Sequence, residues 1–304
     1  MLTKFTSIDT IDILEWSADS SMLLIAYLKR GIAEVKCMDN FEWQCRIDEG
    51  MAGLSGALWA PDSRRVLTIC NFNVRLTIWS LIDRSNSYIL FPKYSDKKGI
   101  SFTSNGLFMA LAERRDSKDH IGIYYTADWT LVAHFQVDSY DMQDLQWAKD
   151  NTALIVSDSL LECRFYVYSP TGSLIAVHEP YSMSLGIKTL RFSPNGHYLT
   201  VGFYDQAMRI YNHITWKNII DLPHPQAIND VTNINIFREE ELSSSLMTNF
   251  NSQKTTKYVE VKSAVKFHVV KPNMDKPSPS VGVSEISWSF DSNFVATKNG
   301  NDYI

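Results

Sequence analysis

Cysteine is scarce in this chain. Four occur in 304 residues, at Cys37, Cys45, Cys70 and Cys163, and no two are spaced C-x-x-C. They lie within or beside strands expected from the sequence and read as reduced structural thiols, as in a cytosolic protein. No apolar run approaches the roughly 20 residues of a membrane-crossing helix. The opening Met1-Leu2-Thr3-Lys4-Phe5 carries no signal-peptide h-region. Positive charge is not in excess: 29 Lys and Arg stand against 34 Asp and Glu, a net charge of −5. No overall basic field therefore draws in nucleic acid or an anionic membrane.

Catalytic signatures are missing as well. There is no G-x-S-x-G elbow, P-loop or H-E-x-x-H. The seven histidines (120, 134, 178, 197, 213, 224 and 268) include no pair at helical i, i+4 spacing. Asp205 and Asp230 could pair, but aspartates in tight turns bond nearby backbone N–H groups. No residue is assigned to catalysis, to a cofactor or to a metal.

What is present is a repeat. In residues 190–212 an apolar run ends on Phe192, and Ser193-Pro194-Asn195-Gly196 turns the chain. Pro pre-sets φ there, and Asn and Gly tolerate positive φ. A strand from Tyr198, a polar turn near Asp205 and an alternating run over 207–212 follow. The aromatic-plus-turn cassette recurs after Trp16 (Ser-Ala-Asp-Ser), Trp59 (Ala-Pro-Asp-Ser), Phe102 (Thr-Ser-Asn-Gly), Trp147 (Ala-Lys-Asp-Asn) and Trp288 (Ser-Phe-Asp-Ser). The steps between aromatics are 43, 43, 45, 45 and 96 residues, the last about two periods. A period of roughly 40–45 residues with four strands per unit marks WD-type blades.

The sequence predicts an all-β protein, a WD-repeat β-propeller of four-stranded blades, truncated at both ends. Residues 1–238 read as blades and the polar, serine-rich 239–257 as a disordered insertion. Residues 258–304 read as further propeller strands with the last blade incomplete. The cassette aromatics are expected in the core, so Trp16→Ala should cost about 3–5 kcal/mol.

The most charged stretch is Glu113-Arg114-Arg115-Asp116-Ser117-Lys118-Asp119-His120. It reads as the turn between second and third strands, on the face where propellers commonly bind partners. A solvated loop of weak ion pairs is the plain reading. A docking patch built on Arg114 and Arg115, with Glu113, Asp116 and Lys118, is the sharper one. The loop over 224–230 is expected on the same side and adds His224 and Asp230 as candidates.

Several strings resemble one family. They are Ile13-Leu14-Glu15-Trp16-Ser17-Ala18-Asp19-Ser20, Trp43-Gln44-Cys45-Arg46-Ile47-Asp48-Glu49-Gly50 and Ala110-Leu111-Ala112-Glu113-Arg114-Arg115-Asp116. Ser184-Leu185-Gly186-Ile187-Lys188, Asn212-His213-Ile214-Thr215-Trp216-Lys217 and residues 224–230 join them. Together they resemble the centrosomal and spindle-pole WD-repeat proteins known as the WD-repeat protein eight family. The resemblance implies a non-enzymatic adaptor of the cytoplasm and cytoskeleton. It implies a coiled-coil anchoring partner, tethering of microtubule minus ends, spindle assembly and cilium formation. In some fungi a minus-end-directed kinesin joins. An RNA- or ribosome-associated propeller of the translation-factor kind is the alternative, as is a propeller acting as the access lid of a hydrolase.

Overall fold

The computed structural model describes residues 7–182, 185–229, 234–241, 256–266 and 281–300. Among them the chain is all-β, with three short 3-10 turns and no α-helix. It divides into two compact units, Met1–Gly186 and Ile187–Ile304.

The first unit holds four antiparallel sheets of four strands, each a simple up-and-down meander. Sheet one is β1 (Ile13–Trp16), β2 (Met22–Tyr27), β3 (Ile32–Cys37) and β4 (Gln44–Asp48). Sheet two is β5 (Gly56–Trp59), β6 (Arg65–Ile69), β7 (Arg75–Ser80) and β8 (Asn86–Leu90). Sheet three is β9 (Ile100–Phe102), β10 (Phe108–Arg115), β11 (Lys118–Tyr125) and β12 (Thr130–Gln136). Sheet four is β13 (Asp144–Trp147), β14 (Leu154–Ser157), β15 (Phe165–Tyr168) and β16 (Leu174–His178).

Consecutive sheets share cores. Val66 of β6 packs with Leu24, Val35 and Ile47 of sheet one. Its neighbours Leu67 and Ile69 join Met109 and Leu111 of sheet three. Ala110 and Ala112 of β10 turn the other way, to Leu145, Leu154 and Tyr166 of sheet four. Strand alternation points successive side chains to opposite faces. With both faces buried, the second strands read as unbroken apolar runs.

The second unit contains a fifth four-stranded sheet: β17 (Ile187–Phe192), β18 (Tyr198–Phe203), β19 (Ala207–Asn212) and β20 (Asn218–Pro223). It also holds three two-stranded ladders. These pair β21 (Ala227–Ile228) with β24 (Val265–Lys266), β22 (Ile236–Glu241) with β23 (Thr256–Val261), and β25 (Val283–Trp288) with β26 (Val295–Asn299). Met208 of the fifth sheet packs on Val283 and Ile286.

The six cassettes share one geometry. In each, the fourth residue donates its N–H to the carbonyl of the first at 2.9–3.2 Å. That fourth residue (Ser20, Ser63, Gly106, Asn151, Gly196, Ser292) is left-handed, with φ between 56° and 78°. The third residue, Asp or Asn, accepts the backbone N–H two residues on through its side chain, as Asp19 does from Ser21 at 3.0 Å and Asn195 from His197 at 3.0 Å. Neighbouring cassettes also latch. Asp19 N–H donates to Ser63 Oγ at 3.0 Å, Ser104 N–H to Asn151 Oδ1 at 2.8 Å, and Asn195 N–H to Ser292 Oγ at 3.1 Å.

Two expectations need correction. Trp59 and Trp147 are buried, at 7% and 6% exposure, but Trp16 is 54% exposed. The cavity cost foreseen for Trp16→Ala applies to the other two. Glu239, Glu240 and Glu241 are paired in β22, and Thr256 and Lys257 in β23, although composition alone assigned them to the insertion. The ladder supplies their backbone partners, and strand pairing asks no apolar side chain of an exposed edge. The rest of that stretch, residues 242–255, lies outside the described residues.

Candidate functional site

The meander places two kinds of connection at one end of every sheet: the link from second to third strand, and the link from fourth strand to the next sheet. In the first unit these links touch one another and form a single surface, here called the upper end. Glu49 N–H donates to the Gly31 carbonyl at 3.4 Å. Gly53 has φ +66°, and a Cβ there would lie 2.2 Å from Asn71 Nδ2, so only glycine lets these two links meet. Asn73 Nδ2 donates to the Lys93 carbonyl at 2.8 Å. Lys93 in turn reaches Asp119 and Asp141 at 2.8 and 2.7 Å.

Glu113 and its neighbours are not a solvated turn. β10 and β11 run on as strands, and only Asp116 and Ser117, both left-handed at φ 49° and 63°, make the bend. Glu113 is fully buried. It accepts from Tyr124 Oη at 2.6 Å and from Arg115 Nε and Nη2 at 2.9 and 2.5 Å, with His134 Nε2 at 3.3 Å. Burial, and then the Glu113 carboxylate, push the Tyr124 hydroxyl well above its usual range. Glu113 therefore positions Arg115 and presents nothing to a partner itself.

Arg114 Nη1 bridges Asp119 at 3.1 Å and Asp141 at 2.8 Å. Asp119 is buried and accepts the Met142 backbone N–H at 2.6 Å. Burial alone would raise the Asp141 carboxyl, but Lys93 and Arg114 outweigh it and hold it below its ordinary value. Asp116 and Lys118 are exposed. Arg114, Arg115, Asp116 and Lys118 thus stand together at the upper end. His224 lies in the second unit with both ring nitrogens engaged, Nδ1 on the Gln206 carbonyl at 3.1 Å and Nε2 on Thr297 Oγ1 at 2.9 Å. Asp230 lies outside the described residues.

A further buried carboxylate sits beneath the link of sheet two. Glu49 accepts from Thr68 Oγ1, Cys70 Sγ at 3.2 Å, Arg75 Nη2 at 3.0 Å and Trp79 Nε1 at 3.1 Å. Burial would raise its carboxyl, and these donors overcome that and hold it low. Cys70 is correspondingly pushed up, by burial and then by Glu49.

Above these carboxylates lies an apolar group that composition did not single out. Met51 is 108% exposed, Phe72 97%, Val74 53% and Phe91 47%. Phe72 occupies the left-handed region at φ 61°, ψ 15°, and Phe91 has φ 62°. Phe91 N–H donates to the Val74 carbonyl at 3.1 Å and its own carbonyl accepts from Arg114 N–H at 3.1 Å. The Arg115 guanidinium lies 5.8 Å from the Phe91 ring centroid. One signal was available in the sequence: Phe72 stands between Asn71 and Asn73, in a turn where Gly or Asn would be expected.

Among the described residues, no group of three or more His, Cys, Asp or Glu is placed to hold a metal ion. No helix there is long and apolar enough to cross a membrane, which says nothing of crossing by strands.

The chain is similar to the WD repeat-containing protein WRAP73 of Mus musculus, 37% identical over 313 residues, covering 99% of this chain and 67% of that protein. It belongs to the WD-repeat family. An uncharacterized WD repeat-containing protein of Schizosaccharomyces pombe is 24% identical over 250 residues, covering 80% of this WD-repeat chain and 48% of the yeast protein. No family model matches the chain. WD-repeat membership and the four-stranded sheets support a scaffold role in protein interaction.

Proposed function

We propose that this WD-repeat chain belongs to a non-enzymatic adaptor of the centrosome or spindle pole. It works with a coiled-coil anchoring protein to hold microtubule minus ends, and so supports spindle assembly and cilium formation. In some fungi a minus-end-directed kinesin would join the assembly. The observation that carries the reading is similarity over 99% of the chain to a WD-repeat protein, together with strings such as residues 110–116 that resemble the WD-repeat protein eight family. The upper end supports it physically: rigid sheets hold polar and apolar groups in fixed positions, as docking requires.

The test is the position of the tagged full-length protein in dividing cells. Focused signal at both spindle poles is expected. Diffuse signal, or co-sedimentation with ribosomes, overturns the spindle-pole reading.

A further inference from the structure

We propose that the upper end of the first unit docks an acidic amphipathic segment of a partner protein. Its apolar side seats on Met51, Phe72, Val74 and Phe91, and its carboxylates meet Arg114, Arg115 and Lys118. The inference rests on the scaffold reading and names the surface that serves it.

Exposure comes first. Single exposed apolar side chains are ordinary, whereas a contiguous group marks an interaction site. Phe91 is hydrogen-bonded to Val74 and to Arg114, both at 3.1 Å, and Phe72 lies two residues before Val74. Asn71, next to Phe72, meets Gly53, two residues from Met51.

Backbone conformation is the second observation. A bulky residue with positive φ is an outlier, because Cβ crowds the following carbonyl. Phe72 and Phe91 both adopt it, and Phe72 gains almost no packing in return at 97% exposure. Strain of this kind persists where the surroundings impose it and collects at functional sites.

The third is charge. The Arg114 and Arg115 side chains are each 40% exposed, above Asp119 and Glu113 side chains that are 0% exposed. Asp119 and Glu113 are inside, Asp141 beside Arg114 is 47% exposed, and the guanidinium groups reach water. Arg114 uses only Nη1, and Arg115 only Nε and Nη2, on these carboxylates. Guanidinium groups accommodate carboxylates bidentately. Lys118 is exposed and its ammonium has no acceptor among the described residues. A nucleic acid fits less well. Met51 and Val74 offer no stacking face to bases, while they suit the apolar side of an amphipathic segment.

The experiment uses the full chain and a fluorescein-labelled helical peptide of about 18 residues, with Leu at i, i+3, i+4 and i+7 and Glu between. Fluorescence anisotropy should show saturable binding, weakened about tenfold by Phe72→Asn and about threefold by Lys118→Glu. Unchanged melting of Lys118→Glu, and unchanged or higher melting of Phe72→Asn, separates lost binding from lost folding. Absence of binding, binding indifferent to Phe72→Asn, or equal binding of the Lys-for-Glu peptide overturns the proposal. So does tighter binding of poly(U) RNA or phosphatidylserine vesicles, or a dimer in sedimentation velocity that Phe72→Asn dissolves. A protein that reaches spindle poles but binds no acidic peptide sinks this inference alone. One that binds the peptide and stays diffuse sinks only the spindle-pole reading.

Discussion

Two links between second and third strands occupy equivalent places and behave oppositely. In sheet three the strands extend to the bend, and Asp116 and Ser117 supply the left-handed pair. Polar residues turn the chain there, and every nearby buried charge has a partner. In sheet two the equivalent bend is Phe72-Asn73, also a left-handed pair at φ 61° and 53°. An aromatic stands where the neighbouring sheet uses aspartate. Both bends lie over a buried carboxylate, Glu113 or Asp119 in one case and Glu49 in the other. The scaffold is common to both, and the difference lies in what is put into water. One bend puts polar residues into water, and the other holds an exposed aromatic in the left-handed region.

The sharpest way to break this contrast is Glu113→Ala. It leaves the buried Tyr124 hydroxyl without its acceptor and frees Arg115, which can turn to water. A loss of about 2–3 kcal/mol in chemical denaturation is expected. Gly122→Ala attacks the same network by crowding, since a Cβ would lie 2.3 Å from Glu113 Oε1 and 2.7 Å from the Tyr124 ring. About 1–3 kcal/mol should be lost, with Tyr124 displaced in a crystal structure.

Under the Phe72 bend, Glu49 makes stability pH-dependent. Its carboxyl is held below the ordinary 4.5, so the unfolded chain takes up the proton more readily than the fold. The stability it contributes is present above about pH 4.5 and lost as pH falls through the lowered value. Thermal melts between about pH 6 and pH 3.5 should show a smaller drop for Glu49→Gln than for the natural chain. The smallest effect has the opposite sign. Phe72→Asn should raise stability by about 0.5–1 kcal/mol, because asparagine tolerates the left-handed region and almost no buried surface is lost. Destabilisation by that change would place Phe72 among packed residues and erase the contrast.

Much of the fold was legible because the cassettes carry their own chemistry. An aromatic, then a turn with Asp or Asn third and a residue tolerant of positive φ fourth, is local information, and all six cassettes form the expected bend. The upper end was less legible. A charged run reads the same whether its carboxylates are solvated or buried. Only tertiary contacts distinguish Glu113, fully buried, from Asp116, exposed. Trp16 and Trp59 occupy the same cassette position, yet burial depends on what packs against each, which the cassette does not encode. Arg114, Arg115 and Lys118 were singled out by charge, while Phe72 and Phe91 escaped because isolated aromatics in a β-rich chain suggest core.

The latches between neighbouring cassettes have a consequence for engineering and for evolutionary change. Three of the bends are clamped by another cassette, as Asp19 is by Ser63 and Asn195 by Ser292. Lengthening one bend there would unseat two repeats at once. Foreign sequence grafted between Asp116 and Ser117 meets no such clamp, so that one bend can lengthen while its neighbours stay tied through Asn73 and Lys93.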